Sequence, residues 1–332
     1  MENNSYLSVK DLNIEYTSAG RVIHAVNGVS FSLRRGETLG LVGETGAGKT
    51  SIAKAILRIL PDPPAKIRGG EILLNGQNLL SLSEKEMVDI RGSRISMIFQ
   101  DPMTALNPVM SIGDQITEVI QAHGEAEGSA ARKKALEILD MVGITPERFD
   151  EFPYQFSGGQ KQRVVIALAL ACNPELLLAD EPTTALDVTI QAQILDMMKD
   201  LQNRLGTSMI LITHDLGVVA ETCDTVAVIY AGEVIEYGTK EEVFVHPAHP
   251  YTNGLFSSLP NMSKRVRRLK PIQGAMPDPS DLPKGCKFHP RCPKAAPQCA
   301  EREAPTVQIS GSHICKCWFA VPSSEEGIPC QL

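Results

Sequence analysis

The segment Gly43-Glu44-Thr45-Gly46-Ala47-Gly48-Lys49-Thr50 has the pattern G-x-x-x-x-G-K-[S/T]. This pattern is typical of a phosphate-binding loop when a strand precedes it and a helix follows it. The apolar run Thr38 to Val42 reads as a buried strand, and a helix is predicted to begin at the end of the segment. These flanks favour a functional loop over a chance glycine-rich turn, so the segment predicts a nucleotide site.

The chemistry of the loop residues indicates what they would bind. The glycines let backbone N–H groups wrap phosphates, and the start of the following helix adds positive potential. Lys49 is expected to reach the β- and γ-phosphates, and the Thr50 hydroxyl is expected to ligate Mg²⁺. We therefore expect ATP and Mg²⁺ as the bound species, with all eight loop residues and Ser51 in the site.

A second apolar run, Leu176 to Ala179, ends in the acidic pair Asp180 and Glu181. A buried strand would hold Asp180 near Mg²⁺ and would let Glu181 reach an attacking water molecule. The alternative is that both acids form a solvated strand end. The phosphate loop argues against that alternative, because an open α/β sheet collects its ligands at the carboxyl ends of its strands.

Apolar runs alternate with helix-length segments from Leu7 to about Leu259, which is typical of an α/β domain with a largely parallel sheet. Met209 to Thr213 is a further predicted strand, and Thr225 to Tyr237 reads as two strands joined by a turn. Helix-forming residues dominate at about 101–160, which predicts an inserted helical subdomain.

The composition of the chain changes after Pro260: Pro, Gly and Cys become frequent, and the periodic pattern of apolar residues is lost. We therefore predict a nucleotide-binding domain at residues 1–260 and a small C-terminal extension at 261–332. Six of the eight cysteines lie in the extension, and in a reducing compartment such clustering indicates metal or redox chemistry. Four convergent thiolates suit either tetrahedral zinc or a [4Fe-4S] cluster, with unliganded thiols as the alternative.

Charge and hydropathy limit the class of protein further. The formal net charge of −7 gives a field that does not favour DNA or RNA. The first residues lack the basic and apolar regions of a signal peptide, and apolar runs such as Val164 to Cys172 are too short to cross a bilayer. We expect a chain that stays on the cytoplasmic side and forms no channel of its own.

The segment Phe156-Ser157-Gly158-Gly159-Gln160 resembles the signature sequence of ATP-binding cassette (ABC) proteins, with Phe156 where leucine is usual. Ser157 is suited to cap the helix that starts at the glycine pair, which leaves N–H groups facing an anion. The resemblance implies that this anion is the γ-phosphate of ATP held by a second cassette. It also implies a RecA-like core with an antiparallel β subdomain and an inserted α-helical subdomain.

The same resemblance assigns roles to five further residues. Gln100 matches the glutamine that senses Mg²⁺ and the attacking water, and His214 matches the switch histidine that contacts the γ-phosphate. Glu181 becomes the expected general base. Asp187 matches the loop that crosses the interface between two cassettes. Tyr16 matches the aromatic residue that stacks on adenine, although sheet packing is the alternative for this tyrosine.

Phe99 to Pro108, His246 to Thr252 and the cysteine-bearing extension are similar to the ATPases of dipeptide and oligopeptide importers, in particular to the D-type subunit. This similarity implies a peripheral subunit at the cytoplasmic face of the cell membrane. Its implied partners are a related F-type ATPase or a second copy, two permease subunits and an external substrate-binding protein. No nucleic acid is expected among them.

The similarity also implies that Cys286, Cys292, Cys299 and Cys317 hold a [4Fe-4S] cluster, with zinc as the alternative. Cys317 is preferred to Cys315 because it precedes an aromatic pair, as the fourth cysteine of the family does. No redox reaction is evident for such a cluster, so we expect its role to be structural.

Other functions share part of the pattern. Nickel importers and some sugar importers have similar ATPases, so the cargo stays open between peptides, nickel and oligosaccharides. Soluble cassette ATPases that act on DNA or ribosomes form a rival class, but they usually carry a long coiled coil or two cassettes in one chain. A single phosphate loop followed by a modest helical insert favours the transporter.

Overall fold

The computed structural model describes residues 5–184, 186–258 and 271–322. Its strands are β1 (Leu7–Ser18), β2 (Arg21–Leu33), β3 (Thr38–Val42), β4 (Ala65–Leu74), β5 (Gln77–Asn78), β6 (Ile95–Ile98), β7 (Leu176–Asp180), β8 (Ser208–Ile212), β9 (Thr225–Tyr230), β10 (Glu233–Thr239), β11 (Thr306–Ser310) and β12 (His313–Lys316). Its α-helices are α1 (Lys49–Ile56), α2 (Glu84–Ile90), α3 (Pro102–Ala105), α4 (Ile112–Ala122), α5 (Gly128–Met141), α6 (Gly158–Leu170), α7 (Val188–Leu205), α8 (Leu216–Thr222), α9 (Lys240–Val245), α10 (Pro250–Ser257) and α11 (Pro297–Glu301). The predicted domain boundary at residue 260 lies outside the described residues.

The larger sheet has eight strands in the order β11-β12-β10-β9-β3-β8-β7-β6. From β9 to β6 the neighbouring strands are parallel. β3, β7 and β8 are buried along their whole length, as expected where helices cover both faces of a parallel sheet. The strands predicted from their apolar runs are confirmed to within a residue. The predicted hairpin is confirmed as β9 and β10, and β10 ends two residues after the predicted end at Tyr237.

The smaller sheet is antiparallel, with the strand order β2-β1-β4-β5. Alternate side chains of β1 are buried on each side of a β-bulge, among them Leu7 before the bulge and Leu12 and Ile14 after it. They belong to one apolar cluster that also contains Ile52 of α1 and Leu41 of β3. The antiparallel subdomain therefore packs directly on the strand and helix that flank the phosphate loop.

The helical insert lies between β6 and β7 and contains α3, α4 and α5, followed by α6. Ile112, Ile116 and Ile120 form a fully buried stripe of α4, because residues four apart lie on the same face of a helix. Gly113 lets the Phe149 ring approach, since a Cβ there would lie 2.3 Å from the ring. No helix in the described part of the chain is long and apolar enough to span a bilayer.

The C-terminal extension continues the larger sheet. β12 is antiparallel to β10, with Glu236 opposite Cys315, and β11 pairs with β12. His313 and Glu236 are both buried, and His313 Nε2 lies 2.8 Å from Glu236 Oε1. Glu236 also accepts hydrogen bonds from the backbone N–H groups of Ala248 and His249. The sequence predicts a small C-terminal extension, but its pattern does not indicate these two strands.

Candidate nucleotide site

The phosphate loop connects β3 to α1, as its sequence predicts. The Lys49 ammonium donates hydrogen bonds to the carbonyl oxygens of Gly43 (2.7 Å) and Glu44 (2.9 Å) and so crosses the loop. Burial lowers the pKa of Lys49, and the charges of Glu181 and Asp180 oppose this shift. The loop thus holds one largely buried cation where phosphate oxygens are expected.

The backbone of the loop leaves no room for side chains at two glycines. A Cβ on Gly43 would lie 2.1 Å from the carbonyl oxygen of Ile229, and a Cβ on Gly48 would lie 2.3 Å from that of Ala25. Gly48 has φ 100°, in the left-handed region, and stands at the N-cap of α1 without a side-chain cap. Gly48 has no side chain that could cap the first N–H groups of α1. A helix start without a side-chain cap can accept a phosphate.

The expected Mg²⁺ ligands Thr50 and Asp180 lie beside each other. Asp180 ends β7 and is only 4% exposed. Burial raises the pKa of Asp180, and the hydrogen bond from Thr50 opposes this rise. A hydroxyl beside a carboxylate is a donor set that suits Mg²⁺, which prefers oxygen ligands.

The three predicted catalytic side chains meet at Glu181. Its Oε2 accepts a hydrogen bond from Gln100 Nε2 at 2.9 Å, and its Oε1 lies 3.2 Å from His214 Nδ1. These side chains follow β6, β7 and β8, and parallel strands end at the same edge of a sheet. Thr184 Oγ1 also donates to Oε2, at 2.9 Å. Thr184 was not predicted from the sequence, where its only signal is a hydroxyl three residues after the acid.

The environment of Glu181 favours an ionised carboxylate. Burial raises the pKa of Glu181, but hydrogen bonds from Thr184 and His214 and the charge of Lys49 outweigh burial and hold the pKa below its ordinary value. The residue also has φ 47°, and its N–H donates to the carbonyl oxygen of Ile212 at 2.8 Å. A left-handed conformation at glutamate costs on the order of 1 kcal/mol and is concentrated at functional sites.

The signature segment opens α6 with the predicted serine cap. Ser157 Oγ accepts a hydrogen bond from the Gln160 N–H, and Gln160 Oε1 accepts one from the Ser157 N–H at 3.1 Å. A Cβ on Gly159 would lie 2.6 Å from Ile190 Cγ2, so this glycine lets α6 lie close to α7. Asp187 caps α7 through the Ile190 N–H at 3.0 Å. The predicted residues thus lie around the phosphate loop and Glu181 and at the starts of α6 and α7.

Tyr16 lies on β1 beside the phosphate-loop helix. Its hydroxyl is 3.0 Å from Ser51 Oγ, and its ring packs against the apolar cluster of the β subdomain. This position is next to the predicted nucleotide site. Adenine stacking by Tyr16 stays a prediction.

The four predicted cluster cysteines lie near one another. After burial, the charges of Cys299, Cys317 and Cys292 raise the pKa of Cys286. The Cys286 N–H also donates to the Cys299 carbonyl oxygen at 2.8 Å. Among the residues that the structure describes, however, no group of three or more His, Cys, Asp or Glu side chains is arranged to hold a metal ion. The four thiols that the prediction requires are present, but the described residues do not show them arranged as a metal centre.

Two contacts of the phosphate loop were missed by the sequence analysis. Arg291 Nη1 donates to both carboxylate oxygens of Glu44, at 3.0 and 3.2 Å. The Glu44 N–H donates to the Tyr251 hydroxyl at 3.1 Å. Tyr251 lies in the stretch His246 to Thr252, which carried part of the family resemblance, whereas no motif pointed to Arg291.

Comparison with protein-family models gives two matches. Residues 26–184 match the ABC transporter family, and residues 235–299 match the C-terminal region of oligopeptide/dipeptide transporters. The first match contains the phosphate loop, the signature and Glu181. The second begins in β10 and reaches α11 of the extension.

Similar proteins match along nearly the whole chain. It is 52% identical over 326 residues to the oligopeptide transport ATP-binding protein OppD of Bacillus subtilis (strain 168), covering 97% of this chain and 91% of that protein. It is 49% identical over 325 residues to the dipeptide transport ATP-binding protein DppD of the same organism, covering 97% of each. DppD of Lactococcus lactis subsp. cremoris (strain MG1363) is 47% identical over 332 residues, covering 99% of this chain and 95% of that protein.

Solved structures share the fold of the nucleotide-binding part. A dimeric ATP-binding cassette in a post-hydrolysis state with ADP and Pi gives a TM-score of 0.63 at 29% identity, covering 70% of this chain and 98% of that one. The cbiO1 protein of Clostridium perfringens, part of an ABC transporter complex, gives 0.64 at 31% identity, covering 74% and 92%. Sequence, fold and site agree, and the chain belongs to the ABC transporter family, in the group of oligopeptide and dipeptide transport ATP-binding proteins.

Proposed function

We propose that the chain binds and hydrolyses ATP to power the uptake of oligopeptides or dipeptides through separate permease subunits. Support comes from relatives that are named for oligopeptide and dipeptide transport and are 52% and 49% identical in sequence over 97% of this chain. The match of residues 235–299 to the C-terminal region of such transporters supports the same cargo. The proposal includes a position at the cytoplasmic face of the membrane and an external substrate-binding protein that delivers the peptide.

The single observation that carries the catalytic proposal is the convergence of Gln100 and His214 on the Glu181 carboxylate. The oxygen of a water molecule bonds to the γ-phosphorus while the bond to the β–γ bridging oxygen breaks, which releases ADP and phosphate. Glu181 accepts a proton from this water. The contacts of Gln100 and His214 with its two carboxylate oxygens fix the orientation of Glu181 as the base. Thr50 and Asp180 would hold Mg²⁺, which would compensate the charge of the β- and γ-phosphates.

The complete site is proposed to form between two cassettes. The signature and Asp187 lie at the starts of α6 and α7, and we propose that a second cassette brings its signature to the phosphates bound by the first. The dimeric cassette of similar fold supports this arrangement. The second cassette is an F-type paralogue or another copy of this chain. An isolated monomer would then bind ATP and hydrolyse it slowly.

Affinity capture from gently solubilised membranes tests the transporter assignment. We expect two permease subunits and a second ATPase to co-purify with the tagged chain, and recovery of DNA or ribosomes instead would contradict it. The cargo is tested on the purified assembly with its binding protein. Peptides should stimulate ATP hydrolysis severalfold, whereas stimulation by nickel or an oligosaccharide, and not by peptides, would reassign the cargo.

For the extension we propose a metal centre at Cys286, Cys292, Cys299 and Cys317, with [4Fe-4S] preferred and zinc as the alternative. The mutual proximity of the four thiols supports it, and their number suits either group. Its role would be to stabilise a segment too small to have its own core.

The metal centre is tested by iron, sulfide and zinc analysis of anaerobically purified protein. Cys299→Ala should lose the metal, whereas Cys172→Ala, in the helical part of the body, should keep it. Stoichiometric zinc in a colourless protein would exclude the iron-sulfur cluster. A protein without either metal would exclude both.

A further inference from the structure

The extension lies directly against the phosphate loop. A Cβ on Gly46 of the loop would be only 3.3 Å from Met276 Cε. The carbonyl oxygen of Pro279 accepts a hydrogen bond of 2.9 Å from the N–H of His24, which ties the same part of the extension to β2. The extension therefore contacts both the loop and the β subdomain beside it.

Arg291 forms an ion pair between the extension and Glu44 of the phosphate loop. Its Nη1 donates to both carboxylate oxygens of Glu44 and approaches the Tyr230 hydroxyl at 3.3 Å, while its Nε donates to the Gln273 carbonyl oxygen at 3.1 Å. Its side chain is only 6% exposed. A Cβ on Gly274 would lie 3.4 Å from Arg291 Cγ, so the backbone there packs on the stem of the arginine. The guanidinium is thus held in one place from several sides.

A buried aromatic cluster fixes the segment that carries Arg291. Phe288 lies edge-on to Tyr230, with ring centroids 5.2 Å apart, and 5.4 Å from Tyr251. All three rings are buried. The Arg291 N–H donates to the Phe288 carbonyl oxygen at 3.0 Å. The Tyr251 hydroxyl also accepts a hydrogen bond from the backbone N–H of Glu44. The cluster therefore holds the main chain of Glu44 through Tyr251, and it holds the side chain of Glu44 through Arg291.

The charge of Glu44 explains what this support can do. A carboxylate in a phosphate loop repels a triphosphate, and the repulsion is strong where water is partly excluded. The Glu44 side chain is 31% exposed, and its partner Arg291 is far less exposed. We propose that Arg291 is a positioning residue for ATP: it neutralises Glu44 and fixes its place, so that the extension sets the affinity of the loop for the triphosphate. This inference rests on the proposed role of the loop as the ATP site.

The experiment compares Mg-ATP affinity in full-length parent, Arg291→Ala, Glu44→Gln and the double variant. Arg291→Ala should weaken binding about tenfold, because Glu44 keeps its charge and loses its partner. Glu44→Gln should bind at least as tightly as the parent, since the amide removes the negative charge and still accepts a hydrogen bond. The double variant should return to within about threefold of the parent. In steady state, Arg291→Ala should raise KM while kcat changes by less than about twofold.

Lys316→Ala is the matched control. It removes another ion pair between the extension and the body, with Glu233 at 3.0 Å, on β10 rather than on the loop. It should leave ATP affinity unchanged, and metal content should match that of Arg291→Ala. If Arg291→Ala folds poorly, Arg291→Lys takes its place. Arg291→Lys should bind ATP more weakly than the parent, and adding Glu44→Gln to it should restore the affinity.

Two results would overturn the inference. One is parental ATP affinity in Arg291→Ala, and the other is a loss in Glu44→Gln as large as that in Arg291→Ala. Failure of the proposed ATP site itself is a separate result, in which the parent and Lys49→Ala bind ATP equally.

Discussion

The imidazole Nδ1 of His214 lies 3.2 Å from Oε1 of Glu181, although 33 positions separate the two residues in the chain. Glu181→Gln keeps the size of this side chain and removes its capacity to accept a proton. We expect ATP turnover to fall by at least about 100-fold while ATP binding persists, so that nucleotide-bound pairs of cassettes accumulate. Phosphate release and size-exclusion chromatography measure these two effects.

The exposed Glu147→Gln in the helical insert serves as the control for this variant and should keep parental turnover. A Glu181→Gln protein that hydrolysed ATP at the parental rate would contradict the assignment of the general base. His214→Ala should slow turnover as well, because one oxygen of the carboxylate loses its partner.

The signature offers a matched pair of glycine substitutions. In Gly159→Ala the new Cβ would lie 2.6 Å from Ile190 Cγ2, so α6 and α7 must separate or Ile190 must move. In Gly158→Ala the nearest atom, on Leu186, is 3.9 Å away. We expect Gly159→Ala to lower the free energy of unfolding by about 1–3 kcal/mol. Gly158→Ala should stay within about 0.5 kcal/mol of the parent. Urea unfolding measures both, and equal stability of the two variants would argue against this close packing.

His249 should make folding stability depend on pH. Burial lowers the pKa of His249 to about 4, and its Nε2 has no hydrogen-bond partner among the described residues. The unfolded chain binds this proton below about pH 6.5, whereas the folded chain stays neutral until about pH 4. The contribution is therefore fully present above pH 6.5 and is lost as the pH falls towards 4, by up to about 3 kcal/mol.

Urea unfolding between pH 4.5 and 7.5 measures this effect. His249→Asn keeps an acceptor for the Tyr251 N–H and should show a smaller loss of stability at low pH. The exposed neighbour His246→Asn should behave as the parent does. Identical pH profiles for the parent and His249→Asn would show that the histidine is not held neutral.

Glu236 tests how firmly the extension is joined to the sheet. Its carboxylate, which is fully buried, accepts hydrogen bonds from two backbone N–H groups and faces His313. Glu236→Ala leaves these groups buried without an acceptor, so we expect a loss of about 3–5 kcal/mol. Asp150→Ala breaks the exposed ion pair with Arg132 and should change stability little. Thermal unfolding of both variants checks the contrast, and a small effect at Glu236 would indicate a loosely attached extension.

The sequence was sufficient for the parts of the fold and site that local patterns encode. Short apolar runs ending in motifs located β3, β7 and β8, and the ends of parallel strands placed Glu181 and His214 near each other. The ion pair between Arg291 and Glu44 was out of reach, because it joins residues 247 positions apart and neither type of side chain is diagnostic.

β11 and β12 were missed for another reason. They have five and four residues, too few to give a clear alternation of apolar and polar side chains. Their pairing depends on β10, which lies far away in the chain.

The register of β12 against β10 also bears on the order in which the chain matures during synthesis. Residues 313–316 leave the ribosome after every other strand of the larger sheet, and they cover the edge of β10. Until then β10 presents unpaired backbone groups, which are a template for pairing with another nascent chain. A prematurely terminated chain that ends before residue 306 would keep this edge open and should be prone to aggregate even with every nucleotide motif intact.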